Sequence, residues 1–173
     1  RTDGRLAEVF TEALATPLAG AGAAGVGRLR AALERARSVL ILADNAGEIA
    51  VDRLLVEEVR RLRAADPAHV AVAVRSGPAI NDALLADARQ VGLDEVAEVI
   101  ESGAALPGTP LACVSADLRR RLDEADVVIS KGQGNFETLS HERYRIWYLL
   151  MAKCEVVARH VGCEPGQRLI LEG

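Results

Sequence analysis

The chain has 173 residues, of which half are hydrophobic, 27% charged and only 3% aromatic, with a formal net charge of −4. This composition fits one compact α/β domain with a core of Ala, Val, Leu and Ile, and excludes a disordered or fibrous chain. The acidic balance, with no basic block and no apolar run near the ~18–20 residues of a membrane span, argues against nucleic-acid and membrane partners.

In chain order, weak helical periodicity over Leu6–Ala15 gives way to the Gly/Ala-rich segment Gly20–Gly27, which reads as a hinge or loop. A helix over about Val26–Arg37 leads into the first clear strand, Val39–Leu42. Ile49–Ala64 spaces Val51, Leu54, Leu55, Val59 and Leu62 as a helix. His69–Val74 is a strand, Asp82–Val91 a helix and Glu98–Ile100 a short strand. Ser115–Ala125 is a helix with Ser115 as its cap, and Val127–Ser130 is an apolar strand. Trp147–Ala152 reads as a strand, followed by a short helix through His160 and a last strand at Arg168–Leu171. This alternation predicts a three-layer α/β/α fold around a mostly parallel, doubly wound sheet.

In such sheets, ligands bind beyond the carboxyl ends of the strands. Val39–Leu42 is followed by Asp44-Asn45-Ala46-Gly47-Glu48, and His69–Val74 by Arg75-Ser76-Gly77-Pro78-Ala79-Ile80-Asn81-Asp82. The strand ending at Ser130 is followed by Lys131-Gly132-Gln133-Gly134-Asn135-Phe136-Glu137, and the strand ending near Ala152 by Lys153. Small, acidic, amide and basic residues therefore share one rim. Asp44 and Asn45 are hard oxygen ligands that favour Mg²⁺ or Mn²⁺ over zinc. Asp82 opens a helix and serves equally well as a cap or a ligand. The glycines Gly77, Gly132 and Gly134 permit tight turns with backbone N–H groups turned to an anion. Lys131 is either a point charge for a phosphate oxygen or a solvated loop lysine.

The remaining chemistry is sparse. Cys113, Cys154 and Cys163 form no CxxC pair and read as reduced thiols in a cytoplasmic protein. His69, His141 and His160 form no HExxH, and no GxSxG, GxGxxG or GxxxxGK[ST] is present.

The segments Leu42–Ile49, Ser76–Ala83 and Val128–Glu137, with Ala152–Arg159 near the carboxyl end, resemble the damage-control phosphatase family, long catalogued as a domain of unknown function. The similarity runs from about Val39 to Leu171. The resemblance implies a divalent cation (Mn²⁺, Co²⁺, Ni²⁺ or Mg²⁺) on Asp44, Asn45 and Asp82, with Lys131 on the phosphate. Asp44, Asp82 and Lys131 are then the expected catalytic residues. Glu48, Ser76, Gly77 and Gly132 are expected around the substrate and its phosphate, together with Gly134, Asn135 and Lys153. The implied activity is hydrolysis of phosphate esters of small metabolites such as sugar phosphates or damaged cofactor precursors. Family members carry a helical region ahead of the first strand, so residues 1–38 are expected to be a remnant of it and 39–173 the phosphatase domain. A non-catalytic metal- or phosphometabolite-binding module is the rival reading, and paired carboxylates at an anion site argue against it unless a cation intervenes. A carboxyl methyltransferase lacks its glycine-rich cofactor loop here.

Overall fold

The computed structural model describes residues 21–62 and 66–173. The first helix, α1, spans Ala21–Leu33, and strand β1 spans Ser38–Leu42. Then follow α2 (Ile49–Leu62), β2 (His69–Val74), α3 (Leu85–Gln90) and β3 (Glu98–Glu101). The second half comprises α4 (Ala116–Glu124), β4 (Val127–Lys131), α5 (Gln133–Leu139), β5 (Ile146–Met151), α6 (Glu155–Val161) and β6 (Arg168–Glu172). The six strands form one sheet in the order β3-β2-β1-β4-β5-β6. All neighbours are parallel except β6, which runs antiparallel to β5.

The strand sequences explain the three layers. Both faces of β1 are covered, so it reads as a continuous apolar run and not as an alternation. Val39 and Ile41 face one cluster, with Leu29 and Leu33 of α1 and Val56 and Val59 of α2. Leu40 and Leu42 face the opposite cluster, with Leu118 and Leu122 of α4, Phe136 and Leu139 of α5 and Val157 of α6. As expected, Ser115 caps α4, its side chain accepting from the Leu118 N–H at 3.1 Å.

Several local expectations are corrected. The segment Gly20–Gly27 is not a hinge where it is described: from Ala21 on it is helical. Gly25 serves packing, because a Cβ there would lie 2.3 Å from the Ile170 carbonyl oxygen. Glycine there lets α1 approach β6 closely. On α2 the buried face runs through Ile49, Asp52, Val56 and Val59, whereas Val51 and Leu54 are exposed. The helix expected from Asp82 begins only at Leu85, because residues 82–84 pair along the strand ends. Gln133–Leu139, read as loop, is a helix. The expected helix Leu6–Ala15 lies outside the described residues, as do residues 63–65 at the end of the expected helix Ile49–Ala64.

The reversal of strand order falls between β1 and β4, where chain connections leave in opposite directions, the place at the carboxyl edge where open α/β sheets bind ligands. Leu42 pairs with Ser130 there, so Asp44 and Lys131 emerge side by side.

Candidate functional site at the sheet's switch point

The loop after β2 folds back over the end of β1. Asn45 and Asp82 form an antiparallel bridge, the Ala83 N–H donates to the Asp44 carbonyl at 2.7 Å, and the Ala46 N–H donates to Asn81 at 2.9 Å. These backbone bonds bring Asp44, Asn45 and Asp82 together from segments nearly 40 positions apart in the chain. In the same loop Ile80 has φ of 54° and is 87% exposed. A β-branched residue in the left-handed region is strained, and such strain persists where surrounding bonds impose it.

Asp44 is buried, and no cationic side chain pairs with it among the described residues; its Oδ2 accepts from the Asn45 amide at 2.9 Å. Burial, then the charges of Glu48 and Asp82, push its pKa up to about 6, against smaller opposing effects of Lys153 and Arg75. The Gly132 backbone, at φ 79°, lies against this carboxylate: a Cβ there would be 2.0 Å from Asp44 Oδ2. Asn45 spends its amide nitrogen on Asp44 and Glu48 (2.9 and 3.2 Å), which leaves its amide oxygen to face another ligand. Asp82 uses Oδ2 to bind the Arg75 guanidinium at 2.7 Å. No group of three or more His, Cys, Asp and Glu side chains converges as a metal cluster among the described residues. A cation at this point would need the Asn45 oxygen beside Asp44 and Asp82 to complete three protein ligands. The donor chemistry fits a hard divalent ion: two carboxylates, one amide oxygen, and an electrostatic excess of negative charge around Asp44.

Two expected phosphate ligands are placed differently. Asn135 is fully buried with every hydrogen-bonding position taken. Its oxygen accepts from Arg75 Nη2 at 2.9 Å and Thr109 Oγ1 at 2.7 Å, and its amide donates to the carbonyls of Ala43 and Lys131. It ties the ends of β1 and β4 to Arg75 and does not face a ligand. The Lys131 ammonium is bound to Asp52 Oδ1 at 2.6 Å and Glu48 Oε2 at 3.1 Å. Burial works against its charge, but Asp52 and Glu48 together raise its pKa, so it stays protonated.

Around them, the Ser76 hydroxyl accepts from the Gly103 N–H at 2.6 Å and fastens the neighbouring loop. Gly77 allows that loop in, since a Cβ there would be 3.0 Å from the Ala105 Cβ, whereas a Cβ on Gly134 would make only an ordinary 3.5 Å contact with the Gly108 nitrogen. The Gly132 N–H is engaged by the Leu149 carbonyl at 2.9 Å and is not turned to an anion. Glu48 is held below the usual carboxylate range: burial would raise it, but Lys131 and Asn45 outweigh burial. Lys153 is exposed and its ammonium makes no ion pair among the described residues, although its charge reaches both Asp44 and Glu48. Arg75, Thr109 and Asp52 escaped the sequence reading. For Asp52 a signal existed: a carboxylate three residues after Ile49 and four before Val56 occupies the apolar stripe of its helix.

The other polar groups lie elsewhere. His69 pairs with Glu98 at 3.2 Å, His141 and His160 contact each other, and the three cysteines are free thiols. A cleft of about 590 Å³ opens at the opposite, amino edge of the sheet beside Arg28 and Trp147, and holds none of the rim residues. No described helix is long and apolar enough to cross a membrane.

An α/β sheet with a carboxylate–amide rim at its switch point defines the class, and comparison with known proteins defines the family. The chain belongs to the damage-control phosphatase family: the model of its ARMT1-like domain matches residues 11–169. A damage-control phosphatase of Pyrococcus horikoshii is 42% identical over 135 residues, 78% of this chain and 46% of that protein. A damage-control phosphatase of Archaeoglobus fulgidus is 38% identical over 130 residues, 74% of this chain and 44% of that protein. The crystal structure of a DUF89 family protein from P. horikoshii superposes with a TM-score of 0.80 at 38% identity, covering 84% of this chain and 50% of that one. The chain thus spans about half the length of the curated relatives it matches.

The raised Asp44 pKa has a defined pH signature. Its value of about 6 in the folded chain lies above the 3.8 of the free side chain, so the folded state binds the proton more tightly. In metal-free protein Asp44 therefore weakens the fold above about pH 6, and the penalty disappears as pH falls toward 4. Metal-free Asp44→Asn is expected to melt higher than wild type at pH 7, with the gap closing by pH 4. Thermal melts of both proteins across that range check this; a constant gap would contradict it.

Proposed function

We propose that the rim hydrolyses phosphate monoesters of small metabolites, in a metabolite-repair role, with a divalent cation (Mn²⁺, Co²⁺, Ni²⁺ or Mg²⁺) held by Asp44, Asn45 and Asp82. The observation that carries the proposal is the Asp44 carboxylate: buried, without a cationic partner among the described residues, and crowded by Glu48 and Asp82. Such a carboxylate repels a phosphate ester unless a cation joins them. The names of the two archaeal relatives support the same reaction class.

A bound cation of this type supplies a Lewis acid and lowers the pKa of a coordinated water. The side chains divide the remaining work. Asp44 and Asp82 provide the negative charge, and Arg75 keeps Asp82 in place by holding one oxygen. Lys153, with no carboxylate partner among the described residues, offers its ammonium to the phosphate. Lys131 contributes a second positive charge beside Glu48, fixed in position and protonated throughout.

The test is phosphate release from p-nitrophenyl phosphate and small sugar phosphates by chelator-stripped protein. We expect no turnover after stripping and recovery on adding back one of these ions. Undiminished hydrolysis in the presence of chelator would contradict the reading.

A further inference from the structure

We propose that Asp52 is a positioning residue of this site: its buried carboxylate withholds the Lys131 ammonium from Asp44 and, through Glu48, orients the Asn45 amide. The inference rests on the proposed cation site and deepens it.

The side chain of Asp52 is 1% exposed and sits on the α2 stripe of Ile49, Val56 and Val59, where packing alone would favour an aliphatic residue. A buried carboxylate is costly unless it is paired and bonded. Here Oδ1 receives Lys131 Nζ at 2.6 Å, while Oδ2 is buried with no hydrogen-bond partner among the described residues. Half of this carboxylate is thus unsatisfied, which a purely structural bridge has no reason to tolerate.

From Asp52 the contacts run to the cation ligands without a break. Lys131 Nζ also donates to Glu48 Oε2 at 3.1 Å, Glu48 Oε1 accepts from Asn45 Nδ2 at 3.2 Å, and the same nitrogen donates to Asp44 Oδ2 at 2.9 Å. Two consequences follow. With its nitrogen held between two carboxylates, Asn45 presents its oxygen as the remaining ligand. With its ammonium anchored by Asp52, Lys131 does not swing to Asp44, the carboxylate left without a cationic partner among the described residues. Were the anchor lost, the ammonium would move toward Asp44 and compete with a divalent ion for it.

The experiment is a double-mutant cycle read by Mn²⁺ binding and by p-nitrophenyl phosphate hydrolysis. Asp52→Asn keeps the shape and one acceptor but removes the charge. In the wild-type background it should weaken Mn²⁺ binding and lower kcat, each by roughly 10–100-fold, as loss of a group supporting metal ligands does. In a Lys131→Met background the same change should alter both by less than about twofold, because the freed ammonium is absent. Equal losses in both backgrounds, or wild-type Mn²⁺ affinity in folded Asp52→Asn, would overturn the inference. If Asp52→Asn alone does not fold, Lys131→Met and Asp52→Asn/Lys131→Met still decide it: the inference requires their Mn²⁺ affinities to agree, and a clear difference refutes it. Should wild type bind Mn²⁺ yet release no phosphate, the hydrolase reading fails while the binding cycle still tests Asp52.

Discussion

Arg75→Met is expected to lower the stability of the metal-free chain by about 3–5 kcal/mol, the usual cost of removing one partner from a buried ion pair. The Arg75 side chain is 3% exposed and that of its partner Asp82 is 7% exposed, so solvent screens the pair little. All three guanidinium nitrogens are engaged: Nε with Asp82 at 2.7 Å, Nη1 with Thr109 at 3.2 Å and Nη2 with Asn135 at 2.9 Å. Methionine fills much of the volume but leaves the Asp82 carboxylate without its counter-charge. For a domain of this size the loss corresponds to a fall in Tm of roughly 6–20 °C. Saturating Mn²⁺ should restore part of it, because an ion bound only to the folded state stabilises that state and supplies the missing positive charge. Calorimetry with and without Mn²⁺ checks both parts. An unchanged Tm in metal-free protein would show that Arg75 does not hold this loop.

The architecture and the location of the site were legible because both rest on patterns that the chain displays locally. Val39–Leu42, His69–Val74 and Val127–Ser130 are unbroken apolar runs, as strands covered on both faces must be. Each is followed at once by polar and small residues, which puts Asp44, Asp82 and Lys131 on one edge by pattern alone. What the sequence concealed was the allocation of side chains among partners. Lys131 and Asn135 looked like ligands facing an anion. Their partners Asp52, Arg75 and Thr109 lie 79, 60 and 26 positions away in the chain, and no local pattern announces such pairs. The helix Gln133–Leu139 was hidden because a seven-residue helix beginning Gln-Gly-Asn has weak propensity. It is held instead by Phe136 and Leu139 packing into the second core cluster. Likewise, Gly25 reads as a breaker by propensity, yet the contact with β6 keeps it helical.

The largest effect on function is expected at Asp82. Asp82→Asn preserves size and a hydrogen-bond acceptor for Arg75, but removes one of the two charges proposed to hold the cation. It also leaves the Arg75 guanidinium opposite a neutral amide, so thermal melts must first establish that the variant is folded. Asp44 then remains as the only carboxylate of the proposed ligand set, and burial and Glu48 still push its pKa upward once the Asp82 charge is gone. Loss of a charged ligand at such a site should weaken divalent-ion binding by at least ~10²-fold. Removal of the electrophile should lower hydrolysis by ~10³-fold or more at fixed metal concentration. The decisive measurement is phosphate release from a small phosphate ester by wild type and Asp82→Asn, compared side by side at matched Mn²⁺, Co²⁺, Ni²⁺ and Mg²⁺. The proposed site predicts turnover by wild type with at least one ion and almost none by the folded variant. Equal release by the two proteins with every ion would contradict it.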